Sequence, residues 1–148
     1  MRKLVPLLVG LGLSGQVFAF PCFITMVKDS CWLNYNVTID VKNAATGKSI
    51  MQVIIPQGQA WVRQPFACDM GETLSLSATF NPAIWESEQD KVYVGQHYWG
   101  LPKAIGKKEA GWNVTVCFPK EFAEVPMPAD AAGKCVCDFS SIPKIDPI

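Results

Sequence analysis

The segment from Thr73 to Phe80 alternates strictly between polar and apolar residues. A period of two places one set of side chains on each face of an extended strand, whereas a helix would need a period near 3.6. Gly71 precedes the segment and Asn81-Pro82 follows it, so turn signals bound it on both sides. The segment therefore predicts a half-buried β-strand. The side chains expected to face the core are Leu74, Leu76, Ala78 and Phe80.

Four further segments carry strand patterns. Residues 35–41 and 111–118 alternate in the same way, and their apolar side chains are expected to face inward. Ile50–Ile55 is a short, nearly continuous apolar run, which predicts a strand buried on both faces. Residues 60–66 predict a strand in which Pro65 marks either a sheet edge or the end of the strand, because proline has no N–H for a hydrogen-bond ladder.

Together with a short candidate at residues 91–94, these segments predict six or seven strands, with turn signals about every ten residues. No amphipathic helix pattern competes with them. The sequence therefore predicts an all-β protein, an antiparallel β-sandwich of immunoglobulin-like type stabilised by disulfides. A jelly roll or a small barrel is the alternative. Prolines recur in residues 119–148, which we expect to form an extended tail.

The first nineteen residues have the parts of a secretory signal peptide. Arg2 and Lys3 supply positive charge, and residues 4–15 are apolar or small. Val17-Phe18-Ala19 then places small residues at the −3 and −1 positions of a cleavage site. The apolar run is about a dozen residues, fewer than the roughly 20 that span a bilayer. The pattern predicts cleavage after Ala19 and a periplasmic or secreted protein.

Cys22 lies close to the expected cleavage site, so a lipid anchor has to be considered. Lipidation needs small residues directly before the cysteine, but Phe20 and Pro21 stand there. No later run is apolar enough to cross a membrane. We therefore expect a mature chain with no lipid anchor and no transmembrane segment.

The composition of the mature chain indicates one domain without a nucleic-acid function. Removing residues 1–19 from the 148-residue chain leaves 129 residues, the size of a single domain over 20–148. Two of the 13 basic residues leave with the signal peptide, so 11 basic residues face 13 acidic ones. The sequence shows no run of basic residues that would indicate nucleic-acid binding and no acidic tail.

All six cysteines belong to the mature chain, and an even number in an exported protein predicts disulfides. They are Cys22, Cys31, Cys68, Cys117, Cys135 and Cys137. Three bridges allow 15 connectivities. The arrangement we expect joins the first two cysteines to the last two, which cross-links the termini, and joins Cys68 to Cys117.

Cys135-Val136-Cys137 also allows a redox or metal interpretation. The redox motif with a known mechanism has two intervening residues and opens a helix, whereas here the spacing is one residue shorter. Zinc or copper would need further ligands, and His97 is the only histidine. We therefore expect structural cysteines, no metal and no cofactor.

Aromatic residues concentrate in the least regular part of the chain. Five of them are candidates for an interaction surface: Trp85, Tyr93, His97, Tyr98 and Trp99. Tryptophan and tyrosine dominate protein interfaces, but they are also often buried in cores, and both alternatives are open. A carbohydrate platform is a third. His97 as a general base would need a nucleophile, and no Gly-x-Ser-x-Gly elbow is present.

Asn36-Val37-Thr38 and Asn113-Val114-Thr115 are glycosylation sequons. Both lie within predicted strands, where asparagine and threonine serve as ordinary residues of the solvent face. A glycan is meaningful only in a eukaryotic secretory pathway. We expect these residues to be structural.

The leader resembles a bacterial Sec signal, and the short β-rich mature chain resembles small periplasmic β-sandwich subunits of envelope assemblies. Accessory subunits of type IV secretion core complexes are one such group. The resemblance covers the general layout of the mature chain and implies no site residue. It implies a non-enzymatic protein–protein interaction domain with other envelope proteins as partners. The alternatives are a ligand- or glycan-binding module that uses the aromatic loops, and a small hydrolase or inhibitor.

Overall fold

A computed structural model describes residues 21–109 and 111–145. The described chain contains eight β-strands and two short 3-10 turns, Ser30–Trp32 and Glu86–Glu88. The strands are β1 (Pro21–Lys28), β2 (Asn36–Asn43), β3 (Ser49–Ile55), β4 (Trp61–Ala67), β5 (Thr73–Asn81), β6 (Tyr93–Val94), β7 (Trp99–Gly100) and β8 (Trp112–Phe118). No helix in the described part is long and apolar enough to cross a membrane. The expected signal peptide and its cleavage site lie outside the described residues.

The strands form two sheets. The first has the order β4-β1-β8, and β1 runs parallel to β8. The second has the order β3-β2-β5-β6, with β7 also paired to β5, and its strand pairs are antiparallel. Neither sheet closes into a barrel. The predicted β-sandwich is confirmed, with a parallel pair that the sequence pattern did not indicate.

The core lies between the two sheets, and the faces that β2, β5 and β8 contribute to it are those that the alternation predicted. The first sheet contributes Ile24, Met26, Trp112, Val114, Val116 and Phe118. The second contributes Val37, Ile39, Val41, Val53, Ile55, Leu74, Leu76 and Ala78. Trp32 closes one end, with its ring centroid 4.7 Å from that of Phe80 and 4.9 Å from that of Phe118.

The prediction that Ile50–Ile55 is buried on both faces is wrong. Val53 and Ile55 are buried, but Gln52 is exposed and Ile54 is 53% exposed. The reason is that only the inner face of the second sheet packs on the core, so Ile54 and Gln52, on its outer face, meet solvent. Of the two positions that Pro65 allowed, the structure shows the sheet edge, because β4 pairs only with β1 and continues to Ala67.

All six cysteines form disulfides, as predicted. Of the two links expected between the terminal regions, one is present, Cys31–Cys135, and the other, from Cys22 to the tail, is wrong. The predicted pairing of Cys68 with Cys117 is wrong, because Cys22 bonds to Cys68. Cys68 directly follows β4, which pairs antiparallel with the start of β1, and this register brings Cys22 to it.

The segment after β8 is extended, as its prolines predicted, and it contains no helix or strand in its described part, residues 119–145. The Cys117–Cys137 disulfide holds it to the end of β8. Farther along, the carbonyl of Pro143 accepts a hydrogen bond of 2.8 Å from the guanidinium of Arg63 on β4. This tail therefore runs over the outer face of the first sheet.

Candidate functional site

The structure separates the five aromatic residues of the predicted interaction surface. Tyr93 and Trp99 are only 2% and 8% exposed and belong to the core. For these two residues the core alternative holds, and they do not contribute to an exposed contact surface. Trp85, His97 and Tyr98 are exposed, and Tyr98 is the most open at 68%. Strand pairing explains the division, because Tyr93 lies opposite Ala78 and Trp99 lies opposite Leu74, both of which face inward.

Tyr98 forms part of a concave surface on the outside of the second sheet. Val92 and Val94 are also exposed there, and Ser75 and Ser77 of β5 line the same depression. The depression has a volume of about 610 Å³. We call these five residues the Tyr98 surface. Apolar side chains lie at its edge, and the serine hydroxyls lie at its base. A surface with both kinds of group can bind a ligand or another protein.

His97 lies beside this surface, and both of its ring nitrogens have partners. Nδ1 lies 2.9 Å from the carbonyl oxygen of Tyr98, and Nε2 lies 3.1 Å from a carboxylate oxygen of Glu121. The contact with the Tyr98 carbonyl, assisted by Glu121, raises the pKa of His97 above its usual value. The ring also packs on Trp99, with centroids 3.9 Å apart. The imidazole therefore stabilises the loop. Because both of its nitrogens are engaged, neither is available to accept a proton from a nucleophile.

The cysteine-rich tail has no free thiolate for redox or metal chemistry. Cys135 and Cys137 belong to two different disulfides, so they do not form a redox pair. Asp29, Cys31 and Cys135 have potential ligand atoms within 4.8 Å of one another. Their two sulfurs are bonded to each other, and Asp29 accepts a hydrogen bond from the backbone of Cys31. The group is a structural junction at the base of the tail.

A row of polar side chains crosses the outer face of the first sheet. Arg63, Thr25 and Thr115 are register partners on its three strands. Arg63 donates from Nε to the hydroxyl of Thr25 at 2.9 Å, and that hydroxyl donates to the amide oxygen of Asn113 at 2.7 Å. Thr25 is buried between its two register partners, and the tail residues Phe139 and Pro143 line the same cleft as Thr25. Hydrogen bonds therefore offset the cost of burying this polar row.

Beside this row, the sheet and the tail enclose a cleft of about 510 Å³. Its lining includes three cations, Arg63, Lys108 and Lys144, and one carboxylate, that of Glu109. The carboxylate accepts a hydrogen bond from the indole N–H of Trp112. Within residues 21–109 and 111–145, no carboxylate forms an ion pair with any of the three cations. We call this site the basic cleft, since three cations and one carboxylate line it among the described residues.

Sequence reasoning missed the basic cleft entirely. Its cations are far apart in the chain, and only the path of the tail brings Lys144 to Arg63. Arg63, in the strand that contains Pro65, was the one local signal, because a charged residue that faces out of an edge strand needs a partner or solvent.

The two sequons lie at opposite ends of the sandwich, and local hydrogen bonds engage both asparagines. Asn36 accepts from the backbone N–H of Gln57 at 2.7 Å, and Asn113 donates to the Thr115 hydroxyl at 3.2 Å. These contacts fit the structural role expected for them.

Comparison of the chain with protein-family models, with curated proteins and with solved structures finds no match. The surfaces described above therefore carry the functional proposal.

Proposed function

We propose that this protein is an exported, non-enzymatic binding domain that contacts another protein of the cell envelope through the Tyr98 surface. The observation that carries the proposal is the grouping of three exposed apolar side chains, those of Val92, Val94 and Tyr98, around one depression. Grouped apolar side chains at a polar-rimmed surface mark interaction sites, whereas single ones do not. Tyrosine is among the residues that most often dominate binding energy.

Export is supported by the leader sequence and by the three disulfides. Disulfides persist in oxidising compartments such as the periplasm and the extracellular space. The assignment to an envelope assembly, such as the core complex of a type IV secretion system, follows the resemblance in layout noted for the sequence. Direct N-terminal sequencing of the mature protein tests the export route: we expect Phe20 as the first residue, and a lipid-modified Cys22 would contradict it.

A binding role rather than catalysis is supported by the state of the reactive groups. Both ring nitrogens of His97 are engaged, and all six cysteines are oxidised. Glu121, the carboxylate beside His97, also accepts a hydrogen bond from the backbone N–H of Cys117. These groups stabilise loops around the Tyr98 surface.

The test is recovery of the protein with its envelope partners after Tyr98→Ala. Loss of an interface tyrosine of this kind costs about 2 kcal/mol, or roughly a thirtyfold loss of affinity. We expect the variant to keep its circular dichroism spectrum and melting temperature, because Tyr98 is exposed, and to be lost from the complex.

Trp85→Ala is the matched control, because Trp85 is also an exposed aromatic residue but does not line the depression. It should remain in the complex. Equal recovery of Tyr98→Ala and wild type would contradict the proposal, and so would equal loss of both variants.

A carbohydrate ligand is the second candidate, favoured by the exposed ring of Tyr98 beside the hydroxyls of Ser75 and Ser77. Sugars stack on aromatic rings and hydrogen-bond to hydroxyls. Titration with envelope oligosaccharides distinguishes the two. If Tyr98→Ala assembles normally but no longer binds a glycan, the glycan function replaces protein contact.

A further inference from the structure

The outer edge of β8 has backbone groups that point away from the sheet. Both backbone groups of Cys117 face the turn that follows β8: its N–H donates to the Glu121 carboxylate, and its C=O accepts from the Glu121 N–H at 3.1 Å. The carbonyl of Phe118 points the opposite way, toward β1, and accepts from Asp29 at 2.9 Å. Successive residues of a strand alternate in this direction. Asn113 and Thr115 therefore direct their N–H and C=O groups to the open edge.

Those four groups have no hydrogen-bond partner among the described residues. Both residues are exposed. Proteins usually protect such an edge with proline, charge or a covering segment, because it is a template for another strand. β8 itself carries no proline and no charged residue. Its edge is thus competent to accept a further strand.

Two other sheet edges are protected. β4 contains Pro65, which offers no N–H. β6 is covered by the segment after β8, since Ala123 donates to the carbonyl of Val94 at 2.8 Å and Gln96 donates to that of Glu121 at 2.9 Å. β3 is also an outer strand, but it contributes no residue to the basic cleft.

The open edge of β8 adjoins the basic cleft, because the side chains of Asn113 and Thr115 line it. Directly opposed residues on neighbouring strands have Cβ atoms about 5 Å apart. Alternate side chains of an added strand would therefore lie beside these two residues on the outer face. Lys108 and Lys144 line the same cleft and form no ion pair within residues 21–109 and 111–145, so acidic side chains at those positions would meet positive charge.

We propose that β8 binds an extended, acidic segment of a partner protein, which joins the first sheet as an additional strand and directs its carboxylates to the basic cleft. Backbone hydrogen bonds to Asn113 and Thr115 supply the register, and the cations supply the preference for acidic sequence. A second copy of this chain fits less well, because pairing two β8 edges would place two basic clefts on one sheet. This site is separate from the Tyr98 surface and goes beyond the function proposed for that surface.

The test uses the purified mature protein and two capped heptapeptides. One alternates valine with glutamate, and the other alternates valine with lysine. We expect the glutamate peptide to bind at least about tenfold more tightly in fluorescence anisotropy at low salt. Amide hydrogen exchange followed by NMR should show new protection of the Asn113 and Thr115 N–H groups when that peptide is bound.

Charge reversal tests the role of the cleft without touching the core. Lys108→Glu combined with Lys144→Glu should reverse the preference between the two peptides. The matched control, Lys48→Glu combined with Lys103→Glu, makes the same change in net charge at exposed lysines outside the cleft and should keep the preference.

Thr115→Pro removes an N–H at the open edge while leaving the hydrogen bonds to β1, and it should weaken binding of the glutamate peptide. If Thr115→Pro does not fold, the comparison of Lys108→Glu/Lys144→Glu with its control still tests whether the cleft selects an acidic peptide. Tyr98→Ala should bind the peptide like wild type, so the two functional proposals fail or succeed separately.

Three results would overturn the inference. The first is equal affinity for both peptides. The second is the absence of new protection at Asn113 and Thr115 with the glutamate peptide in saturating amount. The third is protection of these amides that grows with protein concentration alone, which would make a second copy of the chain the occupant.

Discussion

Lys28 is buried at the end of the central strand of the first sheet, and it provides a sharp test of the structure. Its ammonium donates to three backbone carbonyls, those of Leu33 at 3.3 Å, Tyr35 at 2.7 Å and Pro56 at 2.9 Å. Burial lowers the pKa of Lys28 from 10.5 to about 8. The three carbonyls act in the opposite direction, since they stabilise the charged form.

Because the pKa of Lys28 is lower in the folded protein than in the unfolded chain, the free energy of unfolding increases as pH rises between the two pKa values. Between pH 8 and 10.5 the unfolded chain holds a proton on Lys28 that the folded protein has released, so stability rises with pH. The lowered pKa reduces the free energy of unfolding by about 3 kcal/mol at pH 7 and by less than about 1 kcal/mol at pH 10. The contribution of Lys28 to the free energy of unfolding should therefore become about 2.5 kcal/mol more favourable over this range.

The assay is urea denaturation of wild type and of Lys28→Met at pH 7, 8, 9 and 10. Methionine keeps the apolar stem and removes the charge. The difference between the two proteins isolates Lys28 from other groups, including Tyr93, whose pKa is raised mainly by burial and also by its hydrogen bond to Glu88. A difference in unfolding free energy that stays constant from pH 7 to pH 10 would refute the reasoning, because the carbonyls would then balance the burial.

Two further predictions concern the second sheet and the loop beside it. Leu76→Ala should lower the free energy of unfolding by about 2–5 kcal/mol because it opens a core cavity, whereas Ser75→Ala on the opposite face should change it by less than about 0.5 kcal/mol. Equal shifts of the denaturation midpoint would show that the faces are misassigned. Glu121→Gln should lower the pKa of His97 in an NMR titration, because a neutral amide stabilises the imidazolium less than a carboxylate. Since the folded pKa of His97 is raised, its stabilising contribution is complete at acidic pH and is lost as pH rises through that pKa, and an unchanged titration would contradict the contact.

Alternation was enough to predict the strands that have one face on the core and one face in solvent. β2, β5 and β8 are of this kind, and their predicted inward faces are confirmed. β1 was missed for a physical reason. The tail lies against its outer face, and Thr25 and Val27 are buried along with Ile24 and Met26, so the buried pattern no longer alternates. Burial by a distant, irregular segment leaves no periodic signal.

The candidate surface was predicted only in part. The sequence indicated the aromatic region, but it did not distinguish Tyr98 from Trp99. These two residues are adjacent in the chain, yet Tyr98 is exposed and Trp99 is buried. Their separation depends on the pairing of Trp99 with Leu74, which is a long-range contact. The disulfide pattern has the same origin, because the bond from Cys22 to Cys68 follows from the register of β1 with β4.

The position of β1 has a consequence for folding kinetics. A chain emerges from synthesis with its N-terminal end first, so β1 is among the earliest strands to appear and β8 is the last. The contact between Thr25 and Asn113 spans 88 positions. Contacts so distant in sequence slow folding, because the loop must close before they form. Until β8 arrives, the central strand of the first sheet has one side without a partner, and a nascent chain stalled before residue 112 would expose that edge to aggregation.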